Sequence, residues 1–388
     1  MKTMRNTLRL FALSLRREWR DIATSKTSLL VIVGGVVMYG LLYNFLYRPN
    51  EVEEAPVVVV NEAHSHLSHR LVSLLNASPK TEVVAVVANR SEGTAMLSEG
   101  SAVAMLYLPH DLSQRIGRGE RSTYVTIAST ASFLYYEAVA GAVVESMLAL
   151  DEELRRDMAW LLPAPLLLAY EGRESAKVVG NALFNPTKGY ADYLVPVVLV
   201  LIMFQTMVMV VAMTSGGRRA KGVTPLRGKR LHWGARATIT FARSVFYFAT
   251  YGLLSLFLLG MLPRLFDLPH LADARTMITL LVPYMLATSL FAQAFGRLFG
   301  DRDSPLLLIT FFSVGLIFVS GISYPLELLP EGWRVAHYLL PAAPATLAFV
   351  EVGSMGASVA DIAPQLTVLW SQTALYLLFA TLPSRGFR

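Results

Sequence analysis

Residues 28–47 read SLLVIVGGVVMYGLLYNFLY and contain no charged side chain. A helix needs roughly 20 apolar residues to cross about 30 Å of hydrocarbon, so this stretch is long enough to span a bilayer. Five further segments of the same kind follow, at 193–214, 240–262, 276–296, 304–324 and 364–383. Composition agrees. The 388 residues are 54% hydrophobic and 16% charged, whereas a soluble domain carries about a quarter charged residues. The expectation is an α-helical polytopic membrane protein with six spans. The leader before the first span is long and basic, and no small-residue cleavage site follows Tyr47. That predicts an uncleaved anchor rather than a signal peptide.

Lysine and arginine near span ends mark the side retained in the cytoplasm. Residues 1–27 carry Lys2, Arg5, Arg9, Arg16, Arg17, Arg20 and Lys26. The loop at 215–236 carries Arg218, Arg219, Lys221, Arg227, Lys229, Arg230 and Arg236 with no acid. Arg297 and Arg302 lie between spans four and five, and Arg385 and Arg388 close the chain. In a six-span layout all of these fall on one side, which places both termini in the cytoplasm. Arg243, near the start of the third span, is expected to snorkel to the interface. Arg264, Arg275 and Arg334 are sparse and lie on the outer side.

The same layout puts residues 48–190 outside. This insert holds 12 Lys and Arg against 17 Asp and Glu, a net of −5, so with an overall charge of +6 the remainder carries +11. The positive charge is therefore a topology signal with attraction to membrane lipids, and it does not point to nucleic acid. Short β-branched runs at 57–61, 81–87, 101–109 and 122–128 alternate with helical stretches, the longest over about 132–160. That predicts an α/β extracytoplasmic domain large enough for its own core. His64, His66 and His69 stand together there, but carboxylates at ligand spacing are not evident and cysteine is absent. They read as a solvated helix start, and no metal site is expected.

No catalytic motif emerges. GVTPLRGKR (222–230) resembles a phosphate-binding loop superficially, but the glycine spacing is wrong, Arg230 replaces the hydroxyl residue and no strand precedes it. The spans carry almost no ionisable groups, which disfavours an ion-coupled carrier. Gln205 and Gln293 are the main polar residues in mid-span. They read as hydrogen bonds between packed helices, or as lining of a substrate path.

Four stretches together resemble the ABC-2 type transporter permeases, in the branch with a large extracytoplasmic domain between spans one and two. LRLFALSLRREWRDIATSKTSLL (8–30) is similar to the family's interfacial elbow helix, with Leu8, Phe11, Leu15 and Trp19 recurring at three- and four-residue steps. VVVVNEAHSHLSHRLVSLL (57–75) resembles the start of the outer domain, and NPTKGYADYLVPVVLVLIMFQ (185–205) the approach to the second span. SGISYPLELLPEGWRVAHYLLPAAPATLAFVEVGSMG (320–356) is similar to the family's outer hairpin of short broken helices. Breaks are expected at Pro325, Pro341 and Pro344, because proline lacks a donor and disfavours helix before it. Broken helices in lipid must have their freed backbone groups covered by protein or water. The segment 325–350 is therefore expected to pack on other spans or line the outer mouth of a path, with Glu327, Glu331 and Arg334 at the interface. Ordinary interfacial helices with no part in transport are the alternative.

The resemblance implies one membrane half of an ATP-driven exporter. It would pair with a second permease chain, identical or different, and with cytoplasmic ATPase subunits that bind the ATP and magnesium. This chain would then need no cofactor and do no covalent chemistry. A periplasmic adaptor and an outer-membrane channel are further partners, and the location would be a bacterial inner membrane. The elbow and the 215–236 loop would meet the ATPase, through Arg16, Arg17, Trp19, Arg20, Arg218, Arg219, Lys221 and Gly222. Pro325, Glu327, Pro341 and Pro344, with Gln205 and Gln293, would belong to the path and its outer gate. The loop departs from the family pattern, for the acids usual around its Lys-Gly step are missing here. A membrane-anchored binding or assembly protein without transport activity is the other reading of the same layout. No residue set identifies a substrate.

Overall fold

The first helix, α1 (Lys2–Ala23), stops at Thr24 and Ser25, where Ser25 caps α2 (Lys26–Leu46) by accepting a hydrogen bond from the Ser28 amide at 3.1 Å. The computed structural model describes residues 2–48, 51–118, 124–129, 133–161, 189–221, 232–268 and 270–382. Gly222 with the rest of 222–230, Asn185 and Pro186, and Arg385 and Arg388 lie outside the described residues. Within α2 the segment Leu30–Gly35 is a π-helical turn. Two units are separable, one formed by Met1–Arg48 and Leu183–Arg388, the other by Pro49–Ala182.

The second unit is built on a four-stranded sheet. Its elements are β1 (Ala55–Asn61), α3 (His66–Asn76), β2 (Thr81–Val87), α4 (Arg90–Glu99), β3 (Ala104–Leu108), α5 (Leu112–Gly117), β4 (Val125–Ala128) and α6 (Phe133–Leu161). The strand order is β2-β1-β3-β4. The central strand β1 runs parallel to β2 and β3, and β4 is antiparallel at the edge. VVVV at 57–60 is buried on both faces, as a central parallel strand requires. One face packs on Leu71, Leu75 and the α6 residues Val139 and Val143, the other on α4. Ser65 and Ser68 form a reciprocal capping box at the start of α3, and His64, His66 and His69 are exposed around it.

The first unit is a helical bundle around α7 (Tyr190–Ala220). Within its most apolar window 78% of the residues are buried, against 22% for α2 and 28% for α8 (Trp233–Leu265). α8 carries its own π-turn at Leu256–Met261. Next come α9 (Ala274–Phe295), capped by Asp273, and α10 (Ser304–Val319). A 3-10 turn (Leu326–Leu328) leads to α11 (Glu331–Leu339), α12 (Ala342–Met355) and α13 (Ala363–Thr381). Two glycines allow close approach. A Cβ on Gly216 of α7 would fall 1.8 Å from the Asp301 carbonyl oxygen, and one on Gly296 would fall 2.9 Å from the Ala212 Cα.

Among the described residues, four helices are long and apolar enough to cross a membrane: α2, α7, α8 and the run Ala274–Leu298. α11 and α12, bent by 78°, make a fifth only if the pair counts as one crossing. By this measure the expected six are not reached, for two reasons. α10 has 16 residues, about 24 Å at 1.5 Å per residue, because the chain turns at Gly321 with φ +85°. α13 is long enough at 19 residues, but Thr367, Ser371, Gln372 and Thr373 dilute its hydropathy. One expected break is also corrected. The chain bends at Pro341, whereas Pro344 sits inside the first turn of α12, where its missing N–H would have had no helical partner anyway.

Candidate functional site

Glu18, Asp21, Arg218 and Arg243 meet at one end of the bundle. Along α1 the residues facing inward are Phe11, Leu15, Glu18 and Ile22, at steps of three and four. Phe11 lies 6.2 Å from the ring of Phe241 on α8. Glu18 is fully buried. Its Oε1 accepts from Arg218 Nη1 at 2.7 Å and from Arg243 Nε, and its Oε2 accepts from the Tyr247 hydroxyl at 3.1 Å. Arg218 Nε also donates to Asp21 Oδ2 at 2.8 Å, and Arg243 Nη2 donates to Ser215 Oγ at 2.9 Å. Thr214 Oγ1 touches the Tyr247 hydroxyl at 3.2 Å. One carboxylate thus joins α1, the last turns of α7 and the first half of α8. Burial alone would raise the Glu18 pKa; the guanidiniums of Arg243 and Arg218, with the Arg218 and Tyr247 hydrogen bonds, overcome it and hold the carboxyl below the usual range. Breaking such a buried pair by removing one member costs about 3–5 kcal/mol, because the other charge is left uncompensated.

This network was not read from the sequence. Glu18 sits in RREWR and passes for one acid among solvated arginines. The signal that finds it is its place in the stripe with Phe11, Leu15 and Ile22. Arg243, expected to snorkel to the interface, turns into the cluster, where Glu18 offers a buried counter-charge. Leu8 and Trp19, at the edge of the same stripe, are exposed. Arg218 is engaged inside the chain, whereas Arg16, Arg20, Arg219 and Lys221 are exposed and Arg17 is half-buried.

The same end is tied together by arginines on carbonyls and hydroxyls. Arg219 donates to the Arg297 carbonyl. Arg297 donates to the carbonyls of Phe379 at 3.1 Å, Ala380 at 2.8 Å and Leu382 at 2.5 Å, which closes the C-terminus of α13. Arg302 reaches Ser25 and, at 3.3 Å, Ser28 at the start of α2.

Away from that end lies a cavity of about 630 Å³ between α2, α7 and α10. Gln205, Thr206, Thr310, Ser313 and the hydroxyl-bearing Tyr39 and Tyr43 line it among aliphatic residues, and none of its lining residues is Asp, Glu, Lys, Arg or His. Gln205 faces this space. Gln293 does not: it is buried between α8 and α9, where its Nε2 donates to Ser244 Oγ at 2.9 Å and the Thr240 carbonyl at 3.3 Å. The two glutamines are therefore separate features.

The broken segment after α10 has its freed carbonyls covered by side chains. His337 Nδ1 donates to the Val319 carbonyl at 2.8 Å, Gln372 to the Tyr338 carbonyl at 2.8 Å, Tyr376 to the Leu339 carbonyl, and Tyr193 to the Ile322 carbonyl. Protein groups thus do the work that lipid cannot. Pro325 precedes the 3-10 turn and Glu327 is exposed on it. Pro341 and Pro344 are at the packed start of α12, with Pro344 buried.

The family described as ABC-2 family transporter protein matches this chain over residues 26–382. No curated protein matches it.

Proposed function

The chain belongs to the ABC-2 family of transporter proteins and is a multi-pass membrane protein, and from that premise we propose that it is the permease subunit of an ATP-driven exporter. The family is a transmembrane component of an ABC transporter system with a separate ATPase partner, and it is not itself catalytic. The finer reading has several parts. The basic end faces the cytoplasm and meets the ATPase. The sheet-bearing unit lies outside the inner membrane, where it gates exit or recruits a periplasmic adaptor and outer-membrane channel. A second permease chain, identical or different, completes the path. α10 and α13 cross the membrane as the remaining spans, with the bilayer thinned or the helices supported by neighbours.

The observation that carries this reading is the contrast along the bundle. Cations crowd one end, while the cavity lining holds no side chain that is charged at neutral pH. Energy is then supplied by a docked partner rather than by an ion relay through the spans. A helix that moves when the partner closes shifts a two-state membrane element.

The test is capture and turnover. The tagged chain, purified in mild detergent from its native host, should bring down an ATPase whose activity rises in its presence. Charge reversal at Arg16, Arg20 and Lys221, which are exposed, should lower that capture. Arg218 is unsuitable for this purpose, because its reversal breaks the internal cluster. A chain that binds no ATPase and retains a ligand on residues 50–188 alone would be an anchored binding protein instead.

A further inference from the structure

We propose that Glu18 is the positioning residue that fastens the elbow helix α1 to α7 and α8, and that Arg218 conveys to it whatever engages the loop beginning at Lys221. The coupling half of this inference rests on the permease reading above; the clamp itself does not.

Three observations converge. First, a single buried carboxylate serves two arginines and a tyrosine from two different helices: Arg218 of α7 at 2.7 Å, Arg243 of α8, and Tyr247 of α8 at 3.1 Å. No other described ion pair of this unit has a partner with no exposure at all. A surface pair adds little to stability, whereas a desolvated one defines an arrangement. Second, Arg218 lies in the last turn of α7, three residues before Lys221 and the basic loop. Arg218 and its neighbour Arg219, which donates to the Arg297 carbonyl, are the bundle contacts at the end of α7 that precede that loop. Third, Arg218 Nη2 is buried without a hydrogen-bond partner among the described residues. Buried N–H groups of a guanidinium are normally met, so Arg218 is the member with a bond left to gain in a second arrangement. The amphipathic helix, the loop and the third span are thereby linked through one anion. They move together while it holds and separately when it is neutralised.

The chain has no cysteine, so a pair of introduced thiols is unique without further engineering. Spin labels at Ala12→Cys on α1 and Ala237→Cys on α8, in the full chain in lipid nanodiscs, report the separation of the two helices. The expected result is one narrow distance distribution in the parent, a broader one centred at longer distance in Glu18→Gln, and recovery in Glu18→Asp. Arg243→Gln should broaden it as well, and the double variant with Glu18→Gln should add nothing. The parent itself should stay narrow through the ordinary carboxylate range and broaden only below it, as pH falls through the lowered folded value of Glu18, while Glu18→Gln stays unchanged. This arm needs no variant to fold as well as the parent. The groups facing Glu18 are Arg218, Arg243 and Tyr247, with Arg17 and Asp21 alongside on its own helix. An unchanged narrow distribution in Glu18→Gln overturns the clamp. For coupling, the assembly purified with its ATPase should lose about tenfold of its stimulated ATP hydrolysis in Glu18→Gln at equal ATPase capture. Full stimulation in that variant overturns the positioning role. A parent chain that captures no ATPase defeats the permease reading, and the distance measurement still judges the clamp.

Discussion

Gly216 and Gly217 are neighbours in α7 and should respond to the same substitution with opposite signs. A Cβ on Gly216 falls 1.8 Å from the Asp301 carbonyl oxygen and 2.9 Å from its carbon. Real contacts of this kind stay beyond about 3 Å, so the turn at Asp301 must retreat by about 1.2 Å. Two interactions depend on that turn. Asp301 Oδ1 accepts from the Ser304 amide at 2.7 Å and the Asp303 amide at 2.9 Å, holding the start of α10. Arg302 reaches back to Ser25 and Ser28. A lost cap is worth about 1 kcal/mol, and a hydrogen bond to a charged group about 1.5–3 kcal/mol. Replacing a helical glycine by alanine returns about 1 kcal/mol. Gly216→Ala is thus expected to destabilise the bundle by about 2–3 kcal/mol. A Cβ on Gly217 meets nothing nearer than the Arg302 Cβ at 3.8 Å, so Gly217→Ala keeps the propensity gain and should be neutral or stabilising by up to about 1 kcal/mol. The two variants should differ by roughly 6–12 °C in apparent Tm, read by fluorescence-monitored unfolding in a single detergent at one scan rate. Equal melting temperatures would refute the close approach of α7 to the 301 turn.

Other outcomes follow from the same geometry. Stability of the bundle should fall with acid. The Glu18 pKa is held below its ordinary value in the folded state, so its contribution is complete above the ordinary carboxylate range and is lost as pH drops through the lower, folded value; Glu18→Gln should flatten this part of a pH–melting curve. Gln205→Leu should change substrate-stimulated ATP hydrolysis with little effect on melting, whereas Gln293→Leu, away from the cavity, should alter melting by about 1 kcal/mol and leave substrate response intact. Tyr376→Phe and Gln372→Leu each strip a cover from a carbonyl at the end of α11 and should each destabilise by about 1–3 kcal/mol, seen as faster hydrogen exchange over 331–340. In the sheet-bearing unit, Gly93→Ala drives a Cβ to 2.6 Å from Met105 Sδ and 2.8 Å from Val60 Cγ2. It should lower that unit's melting by about 1–3 kcal/mol, softened by the flexible methionine.

What the sequence made legible was whatever depends on neighbours along the chain. The run VVVVN is β1 and TEVVAVV is β2 because β-branched residues alone decide such short segments. The charge-free stretch from Ser28 is α2 for the same local reason. Span ends were less legible. Nothing before Gly321 announces that α10 finishes at Val319, since the apolar run continues past the residue that turns. Pro344 was misread because proline in a first helical turn and proline at a break look alike without the helix boundary. The Glu18 cluster was beyond reach for a different reason. Its partners Arg218 and Arg243 lie 200 and 225 residues away along the chain. A burial that depends on such distant charges leaves only a faint periodic trace. The two glutamines looked equivalent in sequence, and only packing separates the one beside a space from the one sealed between helices.

The π-turn at Leu30–Gly35 has a consequence for what happens upstream of it. A wide turn accommodates one extra residue without breaking the helix, and each residue of an α-helix advances the chain by roughly 100° around its axis. Tightening that turn, or deleting one residue from it, would swing Ser25 and Ser28 away from Arg302 and carry the elbow to another azimuth around the bundle. The wide turn therefore acts as the phasing screw of the first span: it fixes the compass bearing at which the leading helix meets its neighbours.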